Sequence, residues 1–162
     1  VPVLVDGGLA VWDSLAILEY LAERFPETLG WPEPLAVRAK ARAISAEMHA
    51  GFQALRSHCG MNCRRPPAAK ALPEAVQKDV ARVGRIWQDC RERHAGGGPW
   101  LFGRFTVADA MYAPVALRFH GYRLDAGPVA QDYVDTVLGH PGMAEWIAAG
   151  QAEIETIPAF ED

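Results

Sequence analysis

Long apolar runs are missing from this 162-residue chain. No stretch approaches the roughly 18 consecutive apolar residues of a membrane-spanning helix, and no basic-then-apolar leader opens it. Neither a transmembrane helix nor a signal peptide is expected, and no membrane partner. Cysteine is scarce. Cys59, Cys63 and Cys90 are odd in number and contain no C-x-x-C pair, which excludes a disulfide framework and a zinc site and fits a reducing, cytoplasmic setting. The histidines, at positions 49, 58, 94, 120 and 140, lack H-E-x-x-H spacing, and His58 with Cys59 and Cys63 is too sparse a set for a metal site, so no metal is expected. Excess positive charge is missing too: the formal net charge is −4, which argues against nucleic acid as a partner. There is no initiator Met, and the chain opens directly on strand-like residues, so further sequence is expected upstream of Val1.

Half of the residues are hydrophobic and 22% are charged, the balance of a packed globular chain with room for one large domain or two small ones. The charge is blockwise. Residues 1–33 hold one base and six acids, 34–70 seven bases and one acid, and 110–162 two bases and eight acids. Helix faces that pair across the fold would produce this pattern, and so would a basic wall that attracts an anionic small molecule.

Val1 to Val5 reads as a strand, Asp6-Gly7-Gly8 as a hairpin turn, and Leu9 to Trp12 as a second strand. Asp13-Ser14 caps a helix running to about Phe25, with Leu15, Leu18, Leu21 or Ala22, and Phe25 on its apolar face, and Pro26 stops it. The proline-rich stretch to Pro34 reads as a linker that Leu29 and Trp31 pack down. Beyond it, Val37, Ala41, Ile44, Met48, Phe52, Leu55 and Cys59 form one helical stripe of about six turns. Val76, Val80, Val83, Trp87 and Cys90 form a second. Gly96-Gly97-Gly98-Pro99 is a flexible break, and further helices start at Thr106, Pro128 and Pro141. The pattern is the end of an α/β domain followed by an all-helical bundle.

Three local signatures bear on function. A cis bond at Val1-Pro2, at a strand start, would turn Val1's backbone groups away from the sheet and toward a peptide-like ligand. Asp13-Ser14 stands at a helix N-terminus whose N–H groups and dipole suit a ligand carboxylate, with Asp13 available for a ligand amine. Thr106 and Asp109 form a capping box with Asp in place of the usual Glu, a structural motif.

Taken together, Val1-Pro2, the string Asp13-Ser14-Leu15-Ala16-Ile17-Leu18-Glu19-Tyr20-Leu21, the linker, and Thr106-Val107-Ala108-Asp109 resemble the soluble glutathione transferase family, closest to bacterial members near the zeta class. The resemblance implies an α+β remnant, the C-terminal part of a thioredoxin-like domain, over residues 1–27. A linker over 28–34 and an all-helical domain over 35–162 follow. It implies glutathione as co-substrate, bound by Val1, Pro2, Asp13 and Ser14, and a homodimer. The family's thiolate-activating residue lies upstream of Val1, so no catalytic residue is expected in this chain. The resemblance places the pocket for a hydrophobic electrophile between the domains, near Met48, His49, Phe52, Arg56, Met111, Tyr112, Val115 and Phe119. An apolar stripe of this kind is equally what a helical core provides. Arg118, on an otherwise apolar segment, would meet a substrate carboxylate or pair with an acid of the C-terminal third. Two functional classes follow: a glutathione-dependent transferase, isomerase or reductase, or a non-catalytic binding or assembly module on the same fold.

Overall fold

The computed structural model describes residues 2–156. The expectations that rest on Val1, the cis bond and its ligand contacts, lie outside the described residues.

Strands β1 (Val3–Asp6) and β2 (Leu9–Trp12) pair antiparallel, Val3 opposite Trp12 and Asp6 opposite Leu9. The register leaves two loop residues, Gly7 and Gly8, at φ 54° and 90°. Two successive positive φ angles match the right-handed strand twist, and glycine adopts them without strain. Val3, Val5 and Trp12 share one face of the hairpin and are all exposed. Leu4 and Val11 pair on the other face, where α1 (Ser14–Arg24) lies against both strands. The Tyr20 hydroxyl donates to Asp6 Oδ2 at 2.7 Å and pins that helix to the hairpin turn.

Helix α1 ends before Pro26, and Leu15, Leu18 and Ala22 lie against the main core. Phe25, expected on the same face, is exposed instead, because it sits past the last helical turn at φ −128°. The linker is held at Trp31, which is buried, while Leu29 stays exposed. Trp31 Nε1 donates to Glu19 at 2.9 Å, and the Arg104 guanidinium donates to the carbonyls of Leu29 and Trp31.

The expected six-turn helix is two helices, α2 (Leu35–Ala50) and α3 (Gln53–His58). Gly51 is extended and Phe52 is left-handed at φ 55°, which ends the first run of i→i−4 bonds. The apolar stripe survives the break: Ala41, Ile44, Met48, Phe52, Leu55 and Cys59 are all buried. Long-range partners hold the broken geometry. Leu55 N–H donates to Asp79 Oδ2 at 2.9 Å, and Arg56 Nη1 donates to the carbonyls of His49 and Gly51 at 3.1 and 3.4 Å.

Helix α4 (Glu74–His94) buries Val76, Val80, Val83, Trp87 and Cys90 as the spacing predicts. The glycine-rich break contains a short 3-10 turn over Ala95–Gly97. Helices α5 (Val107–Tyr122), α6 (Pro128–Leu138) and α7 (Pro141–Ala152) follow. Trp87 is the centre of the bundle, with the rings of Tyr112, Phe119 and Tyr133 at 5.9, 4.7 and 4.8 Å. Aromatic pairs at such separations add about 0.5–1.5 kcal/mol each beyond their burial. Charges from the opposite sequence blocks meet inside the chain: Arg42 holds Glu19 in a bidentate pair at 2.8 and 2.9 Å.

Candidate functional site

The start of α1 gathers the polar groups. Asp13, not Ser14, is the cap, and its Oδ1 accepts from Leu15 N–H at 2.9 Å and Ala16 N–H at 3.3 Å. Its backbone stands at φ 77° and ψ 129°, a conformation non-glycine residues seldom adopt. Such strain costs on the order of 1–3 kcal/mol and persists only where neighbours impose it. Ser14 is the first helical residue. Among the described residues its backbone N–H and hydroxyl have no hydrogen-bond partner, and both stand at the positive end of the helix dipole.

Asp13 Oδ2 has its own neighbour, His49 Nε2 at 2.8 Å, from the last turn of α2. An ionised carboxylate only accepts, so Nε2 carries the proton. Desolvation raises the Asp13 carboxyl, but the N–H groups of Ala16 and Leu15 and the imidazole together outweigh it and hold the group below its ordinary value. The sequence gives no local sign of this pair, since 36 positions separate its members.

The other expected site residues divide. Met48, Phe52, Met111, Tyr112, Val115 and Phe119 are buried members of the main core cluster, and the Tyr112 hydroxyl donates to the Ile44 carbonyl at 3.2 Å. Arg56, half-buried, is occupied with the carbonyls of His49 and Gly51. Among the described residues Arg118 makes no ion pair with an acid of the C-terminal third; its Nε donates to the Cys59 carbonyl at 2.9 Å and its Nη1 to the Pro114 carbonyl at 3.0 Å. It satisfies a carbonyl that the short helix α3 leaves open. Burial, with the like charge of Arg56, pulls its guanidinium below the ordinary value.

Asp109 is the most fully engaged acid. Its carboxylate accepts from Thr106 N–H (2.8 Å), Thr106 hydroxyl (3.0 Å), Leu101 N–H (3.1 Å) and Tyr133 hydroxyl (3.0 Å). Burial pushes the carboxyl up, and these hydrogen bonds oppose the shift. Thr106 and Asp109 are both about 1% exposed, so this box supports folding and touches no solvent-borne ligand.

Thiols offer little chemistry. Burial raises Cys59 and Cys63 above the usual thiol value and pushes Cys90 up to about 11, the opposite of what a reactive thiolate needs. Among the described residues no cluster of three or more His, Cys, Asp or Glu could hold a metal, and no helix is long and apolar enough to cross a membrane. A separate apolar cavity of about 360 Å³, which no sequence signal marked, opens between α5, α6 and α7, with Trp100, Phe105, His140 and Trp146 in its lining.

A β-hairpin and helix, joined through a pinned linker to a helical bundle with a buried Thr-x-x-Asp cap, define a two-part glutathione-transferase architecture. Comparison with known proteins agrees. Residues 39–149 match the family described as the glutathione S-transferase C-terminal domain, and residues 1–23 match its N-terminal domain. The chain belongs to the glutathione S-transferase family. It is 27% identical over 120 residues to a stringent starvation protein A homolog of Haemophilus ducreyi, covering 74% of this chain and 52% of that protein. It is 26% identical over 154 residues to a probable maleylacetoacetate isomerase of Vibrio cholerae, covering 90% and 69%. A probable maleylacetoacetate isomerase of Caenorhabditis elegans is 28% identical, with 79% and 59% covered. The chain thus spans about half to two thirds of these relatives' length. In structure it resembles a Burkholderia glutathione transferase homolog crystallised with bound glutathione, with a TM-score of 0.69 at 22% identity over 94% of this chain and 74% of that one. A Legionella pneumophila glutathione S-transferase gives 0.59 at 18% identity over 90% and 79%.

Proposed function

We propose that this chain recognises glutathione at the start of α1 and serves a glutathione-dependent transferase or isomerase acting on electrophilic small molecules. One observation carries the reading: among the described residues the Ser14 N–H and hydroxyl have no hydrogen-bond partner, and the residue before Ser14 supplies the Asp13 carboxylate. A donor pair next to an acid is complementary to the carboxylate and ammonium of an amino-acid end, and the γ-glutamyl end of glutathione is such a group. The Burkholderia homolog with bound glutathione supports the ligand class, and the two relatives named maleylacetoacetate isomerases support isomerisation as the reaction.

In this reading residues 1–27 are the glutathione-binding part, and Val1, Pro2, Asp13 and Ser14 are its proposed ligand contacts. Residues 28–34 are the linker and 35–162 the helical domain. The three thiols, raised by burial, are not the thiolate-stabilising group in this reading. Residues exposed beside Met48 and Phe52, whose own side chains are buried, would face the hydrophobic electrophile. A homodimer through α1, α2 and α4 completes the proposal; sedimentation at micromolar concentration tests it, and a monomer at low and high salt rejects it. The protein is cytoplasmic in this reading, which fractionation of the source cells checks.

A second reading, a non-catalytic binding module, is favoured by the likeness to the starvation protein homolog, whose name states no enzyme activity. Calorimetric titration of the full-length protein with glutathione, followed by its turnover with an aromatic electrophile and with a cis-unsaturated diketo acid, separates the two. Binding with turnover supports the enzyme, binding without turnover the module, and absence of binding rejects glutathione recognition.

A further inference from the structure

The Asp13 carboxylate that the proposed function assigns to a ligand ammonium is already held on both sides. Oδ1 takes two backbone N–H groups of its own helix, and Oδ2 takes His49 from α2. Oδ1 is thereby filled, but Oδ2 keeps a second lone-pair direction, so an ammonium can join there without displacing His49. Its approach direction is then set by where Oδ2 is fixed, which depends on His49. Asp13 stands in a strained backbone conformation, and its own cap bonds constrain only Oδ1.

His49 is itself well anchored. Its backbone carbonyl accepts from Arg56 Nη1 at 3.1 Å, so the short helix after the Gly51–Phe52 break fixes the turn that carries the imidazole. The chain of contacts runs Arg56, His49, Asp13, from the helical domain into the hairpin-and-helix unit.

We propose that His49 is a positioning residue for ammonium recognition: it fixes Asp13 Oδ2 from the helical domain, so that selectivity for an amino-bearing ligand depends on this residue rather than on Asp13 alone. The inference rests on the proposed glutathione reading and reassigns His49 from the electrophile pocket to the amino end of the ligand.

The test uses the whole chain and two probes, glutathione and glutaryl-cysteinylglycine, the same tripeptide with hydrogen in place of the ammonium. Calorimetry on the wild type is expected to favour glutathione by roughly tenfold or more, the scale of one charge-assisted hydrogen bond. His49→Ala should bring the two affinities close together while the analogue's own affinity stays unchanged. His49→Gln, whose amide N–H still donates to Oδ2, should restore part of the preference. In the wild type the His49 ring resonances should move on addition of glutathione and much less with the analogue, a readout that needs no variant. A preference left intact by His49→Ala, equal weakening of both ligands, or identical ring shifts with both overturns the inference and leaves the glutathione reading standing. A wild type that binds neither probe, or both equally, overturns the Asp13 assignment and this inference with it.

Discussion

The Tyr133 hydroxyl donates to Asp109 Oδ1 at 3.0 Å, so a residue of α6 completes the cap of α5. Asp109 thereby joins three segments: its own helix, the turn at Leu101, and α6. Removing the carboxylate strands four donors in the core, and each buried unpaired group costs about 1–3 kcal/mol. Asp109→Ala is expected to destabilise by more than about 3 kcal/mol, whereas Thr106→Ala should cost on the order of 1 kcal/mol or somewhat more. Urea unfolding of both variants checks the order. Equal and small effects would show that water replaces the lost partner.

Cap residues of this kind were readable in the sequence because their signal is local. Thr106 with Asp109, the Asp6-Gly7-Gly8 turn, and the prolines opening α6 and α7 each fix backbone geometry within a few positions. The break at Gly51 and Phe52 was hidden because the apolar period runs straight across it. Its cause is tertiary: Asp79 from α4 accepts the Leu55 N–H. Asp13 was readable as a helix-start acid, but His49 was not readable as its neighbour, and Arg118 gave no sign that its partners would be carbonyls. Composition and spacing report which face is buried; they do not report which polar groups a chain break leaves to be satisfied.

Close packing at Gly84 gives a sharp test of the α4 contact. A Cβ there would lie 2.5 Å from the Ala126 methyl carbon and 3.3 Å from the Ala126 carbonyl oxygen. In an exposed helix Gly→Ala stabilises by about 1 kcal/mol, but overpacking of a core typically costs about 1–3 kcal/mol. Gly84→Ala is therefore expected to lower stability, read as a lower urea midpoint. A gain would mean that the loop at Ala126 yields freely.

Acid should weaken the link between α2 and α4. Arg82 holds Glu47 in a bidentate pair at 2.7 and 2.8 Å, and this hydrogen bonding keeps the Glu47 carboxyl below its ordinary value despite partial desolvation. A carboxyl depressed in the folded state binds fewer protons there than in the unfolded chain. Its contribution is present above the unfolded pKa and is lost as pH falls through the folded one. The stability difference between wild type and Glu47→Gln should thus be constant near neutrality and shrink below the usual glutamate range. Unfolding midpoints across that range check it, and a difference independent of pH would assign the effect to packing.

The separation of roles between Asp13 and Ser14 can be measured directly. Asp13 supplies the cap through Oδ1, and Ser14 leaves its hydroxyl and N–H unengaged among the described residues. Asp13→Ala removes the cap and should cost about 0.5–2 kcal/mol, as N-cap losses do. Asp13→Gly also removes the side chain but relieves the backbone at φ 77°, so it should be the more stable of the two. Ser14→Ala touches neither cap nor strain and should leave the melting temperature within about 0.5 kcal/mol equivalent of wild type, since alanine suits a first helical turn. If Ser14 meets a ligand carboxylate, the same substitution should still weaken glutathione binding by roughly tenfold, because the hydroxyl bond is charge-assisted. Thermal melts and calorimetry on the three variants decide the matter. Unchanged affinity in Ser14→Ala would leave the helix N-terminus without a ligand role, and a large loss of stability there would mean that Ser14 is part of the cap after all.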